Sequence, residues 1–124
     1  MNRFPGVDFI DFESLLTDEQ RLVRDTVRAW VEEKIKPIIE ECHREARFPL
    51  HLVPEMGEMN LFGSNLKDYG LPGLDAVAYG LIMQELERGD SGLRSFVSVQ
   101  GALVMYPIWR YASEEQKAKW LPRL

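Results

Sequence analysis

The stretch TDEQRLVRDTVRAWVEEKIKPI, Thr17 to Ile38, decides the fold class. Thr17 offers a hydroxyl to an orphan backbone N–H, and Gln20, three residues on, can reach back, so the two spell a capping box. Asp18 and Glu19 suit the positive end of a helix dipole. Val23, Val27, Trp30, Val31, Ile35 and Ile38 then recur at spacings of three and four, the apolar stripe of an amphipathic helix. Arg21, Arg24, Arg28, Glu32 and Glu33 cover the outside. Pro37 lacks an N–H and disfavours the α conformation at Lys36, which predicts a kink or short break before helix resumes to about Ala46.

Working outward, the same helical period continues. Phe48-Pro49 ends the first segment, and a short helix is expected from about Leu50 to Met59, with Leu52, Met56 and Met59 inward. Gly63 to Asp75 reads as loop, rich in Gly and Pro. Asp75 can cap a helix from Ala76 to about Arg88. Gly89-Asp90-Ser91-Gly92 reads as a turn. Another helix is expected from about Ser91 to Tyr111, with Pro107 near its end. Ser113-Glu114-Glu115-Gln116 is a second capping box, and Pro122 should close the helix it opens. No alternating run is long enough for a confident strand. The expectation is an all-α fold, a compact bundle of five to six helices joined by short turns.

Composition agrees with one folded domain. The 124 residues are 45% hydrophobic and 28% charged, which excludes wholesale disorder. The formal net charge of −5 argues against nucleic acid as a partner, since phosphate binding needs clustered Lys and Arg. Cys42 stands alone, so no intrachain disulfide is possible. The opening MNRFPGVDFIDF has no apolar targeting core. The longest charge-free run, Ser95 to Trp109, is too short to cross a bilayer. A reduced, soluble, cytoplasm-like setting follows, or a mitochondrial matrix if the source is eukaryotic. His43 and His51 are too few for a metal site, and Cys42 reads as an inert thiol. No nucleophile elbow or phosphate-cradling loop is present, and Gly70-Leu71-Pro72-Gly73 reads as a turn. Met56, Met59, Met83 and Met105 read as core filler.

Arg94 is the anomaly. It is the only charged residue between Asp90 and Arg110, on a helix otherwise apolar or small, and such a helix should be central and largely buried. A guanidinium there needs an anionic partner. Glu87, seven residues earlier across the Gly89–Gly92 turn, is one candidate. A ligand carboxylate or phosphate is the other, because the planar fork fits both. Ser91, Ser95, Ser98 and Ala102 line one small, polar stripe beside Arg94, which suits either a slender ligand or close helix packing. Spacing alone favours packing with a salt bridge.

Several motifs, in order, resemble the acyl-CoA dehydrogenase family. They are Leu16-Thr17-Asp18-Glu19-Gln20, Pro37 after a long amphipathic helix, Tyr79-Gly80-Leu81 leading to Glu85-Leu86-Glu87-Arg88, and Ser113-Glu114-Glu115-Gln116-Lys117 with Trp120-Leu121-Pro122. Within the family, Glu87 to Ser95, followed by Ser98-Val99-Gln100 and Leu103-Val104-Met105, looks most like the glutaryl-CoA dehydrogenase branch. The resemblance runs from about Leu15 to Leu124. It implies residues 15–124 as the family's N-terminal helical domain behind a 1–14 extension, with the middle β-domain and C-terminal helical domain absent, so that the chain is a piece of a longer enzyme. It implies FAD as the parent's cofactor and an acyl-CoA, here glutaryl-CoA, as substrate, oxidised and decarboxylated to crotonyl-CoA and CO2. An electron-transfer flavoprotein-like acceptor and a homotetrameric parent are implied as well. The catalytic base and most flavin contacts fall outside this chain. What carries over is one wall of the substrate pocket. The match to Arg94 faces the substrate's far carboxylate, the match to Ser95 is its hydrogen-bonding neighbour, the match to Glu87 joins the polar cluster, and Ser98 is a weaker candidate. A non-catalytic helical interaction module, or a relative with another acyl preference, are the alternatives.

Overall fold

The computed structural model of the protein describes residues 7–124; the first six, part of the 1–14 extension, lie outside the described residues. Helix α1 (Asp18–Trp30) starts where the capping box places it. Thr17 Oγ1 accepts from the Gln20 N–H at 3.2 Å, and Gln20 Oε1 accepts from the Thr17 N–H at 2.9 Å. The chain then widens into one π-helical turn, Val31–Ile35, bends, and resumes as α2 (Ile39–Arg44). The Lys36 N–H donates to Val31 O, five residues back, at 3.0 Å. Pro37 follows at once. A proline ring clashes with the carbonyl four residues earlier, and a wider turn relieves that clash. The expected break is therefore present, with a wide turn leading into it. Helix α2 stops at Arg44, and Ala46 sits at φ 51°.

A 3-10 turn at Leu50–Leu52 leads into α3 (Val53–Glu58). The segment expected as plain loop contains a hairpin. Its strands are β1 (Lys67–Asp68) and β2 (Leu71–Pro72), antiparallel, with Asp68 opposite Leu71. Tyr69 and Gly70 between them have φ 53° and 84°, the left-handed pair that a two-residue hairpin loop needs. Strands this short leave no alternation to read.

Asp75 caps α4 (Ala76–Gly89), its Oδ1 accepting from the Ala78 N–H at 2.7 Å. The Gly89–Gly92 turn shrinks to one residue, because Gly89 is still helical and Asp90 both ends α4 and caps α5 (Ser91–Ser98). The expected single helix from Ser91 to Tyr111 also holds a wide stretch, Val99–Met105, before α6 (Tyr106–Tyr111). The Tyr106 N–H reaches Gly101 O, five back, and Pro107 comes next. Both wide turns thus precede a proline, and the same steric argument covers both. The Ser113 box opens α7 (Glu114–Trp120), which tightens into a 3-10 turn through Pro122 to Arg123 rather than stopping.

Helix α4 lies between α1 and α5. Val31, Ile35, Met56, Leu86, Leu93 and Val97 fill the main core, and each buried side chain of this size contributes roughly 1.5–3 kcal/mol. Leu66, Met105 and Leu121 form a smaller second core under the hairpin. The helix carrying Arg94 is buried on one side only. Val99, Leu103 and Tyr106 are exposed, so the apolar composition there marks an open face rather than a central helix. No helix among the described residues is long and apolar enough to cross a membrane.

Candidate functional site

The joint between α4 and α5 sets the geometry. Asp90 Oδ2 accepts from the Leu93 N–H at 2.7 Å, and its backbone carbonyl accepts from the Arg94 N–H. This turns the first turn of α5 back along the last turn of α4. Arg94 then meets Glu87 directly: Nε donates to Glu87 Oε2 at 2.7 Å. Nη1 donates to Ser98 Oγ at 3.2 Å, and Ser98 Oγ donates to Ser95 O at 3.1 Å. Two of the guanidinium's five N–H groups are used, and among the described residues no acceptor sits on Nη2.

All four sequence-derived residues therefore share one corner, though not equally. Ser98, the weaker candidate, is Arg94's direct partner, since i and i+4 face each other on a helix. Ser95 enters through its carbonyl. Its own position lies against a shallow depression of about 350 Å3 with Phe48, Phe96 and Val99. The Arg94 side chain is 35% exposed and Glu87 is exposed. The expectation of a central, largely buried helix is thus corrected. The pair sits at the rim of the open face, where an ion pair contributes only about 0.2–1 kcal/mol. Ser91 and Ala102 of the small stripe are exposed too.

The buried charge is elsewhere, and the sequence reading missed it. Glu85 on α4 is 0% exposed. Its Oε1 accepts from Arg28 Nη2 at 2.7 Å, and its Oε2 from Arg28 Nε at 3.1 Å and Arg88 Nε at 2.9 Å. Burial alone would raise its pKa. The hydrogen bonds and charges of Arg28 and Arg88 outweigh that and hold it below the ordinary glutamate value. The signal was present, because Ala78, Leu81, Ile82 and Glu85 fall on one helix face. A lone acid on an apolar stripe is the same anomaly as Arg94, with the better claim to burial.

His43 and His51 are exposed, and His43 Nε2 lies 2.6 Å from Asp90 Oδ1. Cys42 is buried. Among the described residues no group of three or more His, Cys, Asp or Glu could hold a metal.

The profile described as the acyl-CoA dehydrogenase N-terminal domain matches residues 17–124. The chain belongs to the acyl-CoA dehydrogenase family. Among solved structures it is similar to a glutaryl-CoA dehydrogenase from Mycobacterium smegmatis in complex with FADH2, at 49% identity and TM-score 0.88, covering 91% of this chain and 29% of that one. A chain in a structure of the electron transferring flavoprotein of Acidaminococcus fermentans matches at 31% identity and TM-score 0.81, over 94% of this chain and 30% of that one. Among sequences, the mitochondrial short-chain specific acyl-CoA dehydrogenase of Bos taurus is 33% identical over 107 residues, 86% of this chain and 26% of the relative. The chain thus spans 26–30% of the length of these similar chains.

Among the described residues, the Gly70–Gly73 stretch does not form a flavin's phosphate cradle. The glycine-rich Gly70–Gly73 stretch is spent in the hairpin, and the Gly73 N–H donates to Leu66 O at 2.7 Å instead of facing an anion.

Proposed function

We propose that this chain is the substrate-lining N-terminal domain of a glutaryl-CoA dehydrogenase-like enzyme, with boundaries near 15–124 behind a short extension. The observation that carries the reading is Arg94. Glu87 fixes its Nε, Ser98 fixes Nη1, and Nη2 is left for an acceptor at the rim of an apolar face. A thioester whose far end is a carboxylate matches that arrangement, since the acyl methylenes lie on apolar surface and the carboxylate takes the guanidinium's remaining edge. Glu87 holds the fork in one rotamer, so less freedom is lost on binding. When bound in the parent, FAD supplies hydride acceptance. The base that removes the α-proton belongs outside this chain. The 49% identity to a glutaryl-CoA dehydrogenase supports the substrate class. The electron-transferring flavoprotein structure supports an acceptor of that kind, and the short-chain relative's mitochondrial name supports a mitochondrial setting if the source is eukaryotic. A tetrameric parent completes the proposal.

The test is Arg94→Ala in the full-length parent. Loss of a charge-assisted bond of about 2–3 kcal/mol lowers kcat/KM for glutaryl-CoA about 30- to 150-fold and leaves butyryl-CoA within a few-fold. Equal losses on both substrates would assign Arg94 to the Glu87 ion pair alone and point to another acyl preference.

A further inference from the structure

The Glu87–Arg94 pair hangs on a one-residue joint, and the structure shows what fixes that joint from behind. Arg88, in the last turn of α4, donates Nη1 to Glu32 Oε1 at 2.6 Å and Nε to Glu85 Oε2 at 2.9 Å. Glu32 belongs to the first wide turn, Val31–Ile35, and Lys36 Nζ lies 2.8 Å from the same Glu32 oxygen. The next residue, Gly89, packs on that turn so closely that a Cβ would sit 2.6 Å from Val31 Cγ1 and 3.4 Å from Ile35 Cγ2. An ion pair and a steric contact therefore grip the end of α4 at consecutive residues. Asp90, the joint itself, comes next, and its carbonyl receives the Arg94 N–H.

We propose that the first wide turn is a positioning device for the Glu87–Arg94 pair, with Glu32, Arg88 and Gly89 as positioning residues. It acts through neighbouring positions of one helical turn, since Arg88 meets Glu32 of the wide turn while Glu87 meets Arg94 of α5. Widening at Val31–Ile35 answers the steric demand of Pro37, and it also sets where Val31 and Glu32 meet α4. A shift of α4 at Gly89 moves Glu87 and Asp90 together, and Arg94 is bonded to both. That the pair thus placed serves a substrate carboxylate rests on the preceding proposal; the mechanical coupling does not.

Two variants test it in this chain, read at the Arg94 side-chain Nε–H resonance by 15N NMR. Neither variant residue touches Arg94. Gly89→Ala and Glu32→Gln should each shift that resonance. Val31→Ala added to Gly89→Ala removes the obstructing Cγ1 and should return it toward its original position. Arg24→Met, at a distant point of α1, should leave it in place. In the full-length parent, Gly89→Ala should raise KM for glutaryl-CoA relative to butyryl-CoA about tenfold, as small misplacements of a binding group do. If Gly89→Ala fails to fold, Glu32→Gln decides alone. An unmoved Arg94 resonance in folded variants of lowered melting temperature overturns the proposal and leaves the wide turn a purely structural feature. A moved resonance with an unchanged KM ratio upholds the coupling and removes the carboxylate assignment instead.

Discussion

Glu85→Gln is the substitution that most directly probes how the fold carries its buried charge. The change keeps size and shape, so no cavity confounds it. Wild-type Glu85 is 0% exposed and accepts three bonds from two guanidiniums. Each such charge-assisted bond contributes roughly 1.5–3 kcal/mol. A glutamine carbonyl placed at Oε2 keeps two. Its amide turns a donor toward Arg28 Nη2, the pair's charge attraction is lost, and the lower burial penalty of a neutral group returns part of that loss. The expected destabilisation is about 2 kcal/mol at pH 7, or roughly 8 °C in Tm for a domain of this size.

The pH dependence is the sharper half of that prediction. Glu85's pKa is lowered in the folded state by Arg28 and Arg88 against the opposing effect of burial. A depressed carboxyl contributes stability that is complete above its unfolded value, about 4.3, and disappears as pH falls through the lower folded value. The wild-type and Glu85→Gln stability curves should therefore run parallel from pH 7 to about 5 and converge below about 4. Urea melts followed by circular dichroism at pH 7, 5, 4 and 3 read this directly. A variant as stable as wild type at pH 7, or a gap that stays constant down to pH 3, would refute the ion-triad account.

The remaining predictions concern the caps, the open face and the cofactor. Thr17→Ala and Ser113→Ala each remove a reciprocal capping box and should each lower unfolding free energy by about 1 kcal/mol; additive losses in the double variant would confirm that the two ends act independently. Leu103 is 69% exposed beside Val99 and Tyr106, so the isolated chain should sediment in a concentration-dependent way. Leu103→Lys should shift it toward monomer with little change in Tm, and concentration-independent monomer in the wild type would contradict this. The isolated chain should also purify without flavin colour and without dye reduction with any acyl-CoA, whereas a yellow, active preparation would place flavin contacts in residues 1–124.

What the sequence made legible was local. Both capping boxes, the Asp75 cap and the Pro37 break are written in contiguous residues and obey short-range rules, so they could be read directly. The Arg94–Glu87 bond was legible as one of two alternatives, because seven residues across a turn brings the two side chains within reach. Three things were not legible. The hairpin is two residues a side, and its turn is marked only by a glycine at the second position. The wide turns leave no composition of their own, since a π turn is a change of hydrogen-bond register rather than of residue type. The open face of the helix carrying Arg94 is the third, because an apolar composition describes a buried helix and a helix with one uncovered face equally well.

These misreadings share a cause that also links fold to function. A lone charge on an apolar helix reports that something unusual meets it, but not whether that something lies within the domain. Glu85 and Arg94 are both such charges, one turn of chain reversal apart. Glu85 is answered inside, by Arg28 and Arg88, and is sealed from solvent. Arg94 is answered in part, by Glu87 and Ser98, and keeps Nη2 beside an uncovered apolar surface. The distinction rests on which side of α4 and α5 the core occupies, and that is fixed by Leu86, Leu93 and Val97 rather than by either charge. The interior charge then supports the exterior one, because Arg88 ties both Glu85 and the wide turn to the helix end that presents Glu87. Stability and recognition are therefore separable in kind: loss of Glu85 should appear in the melting curve first, and loss of Arg94 in substrate preference alone.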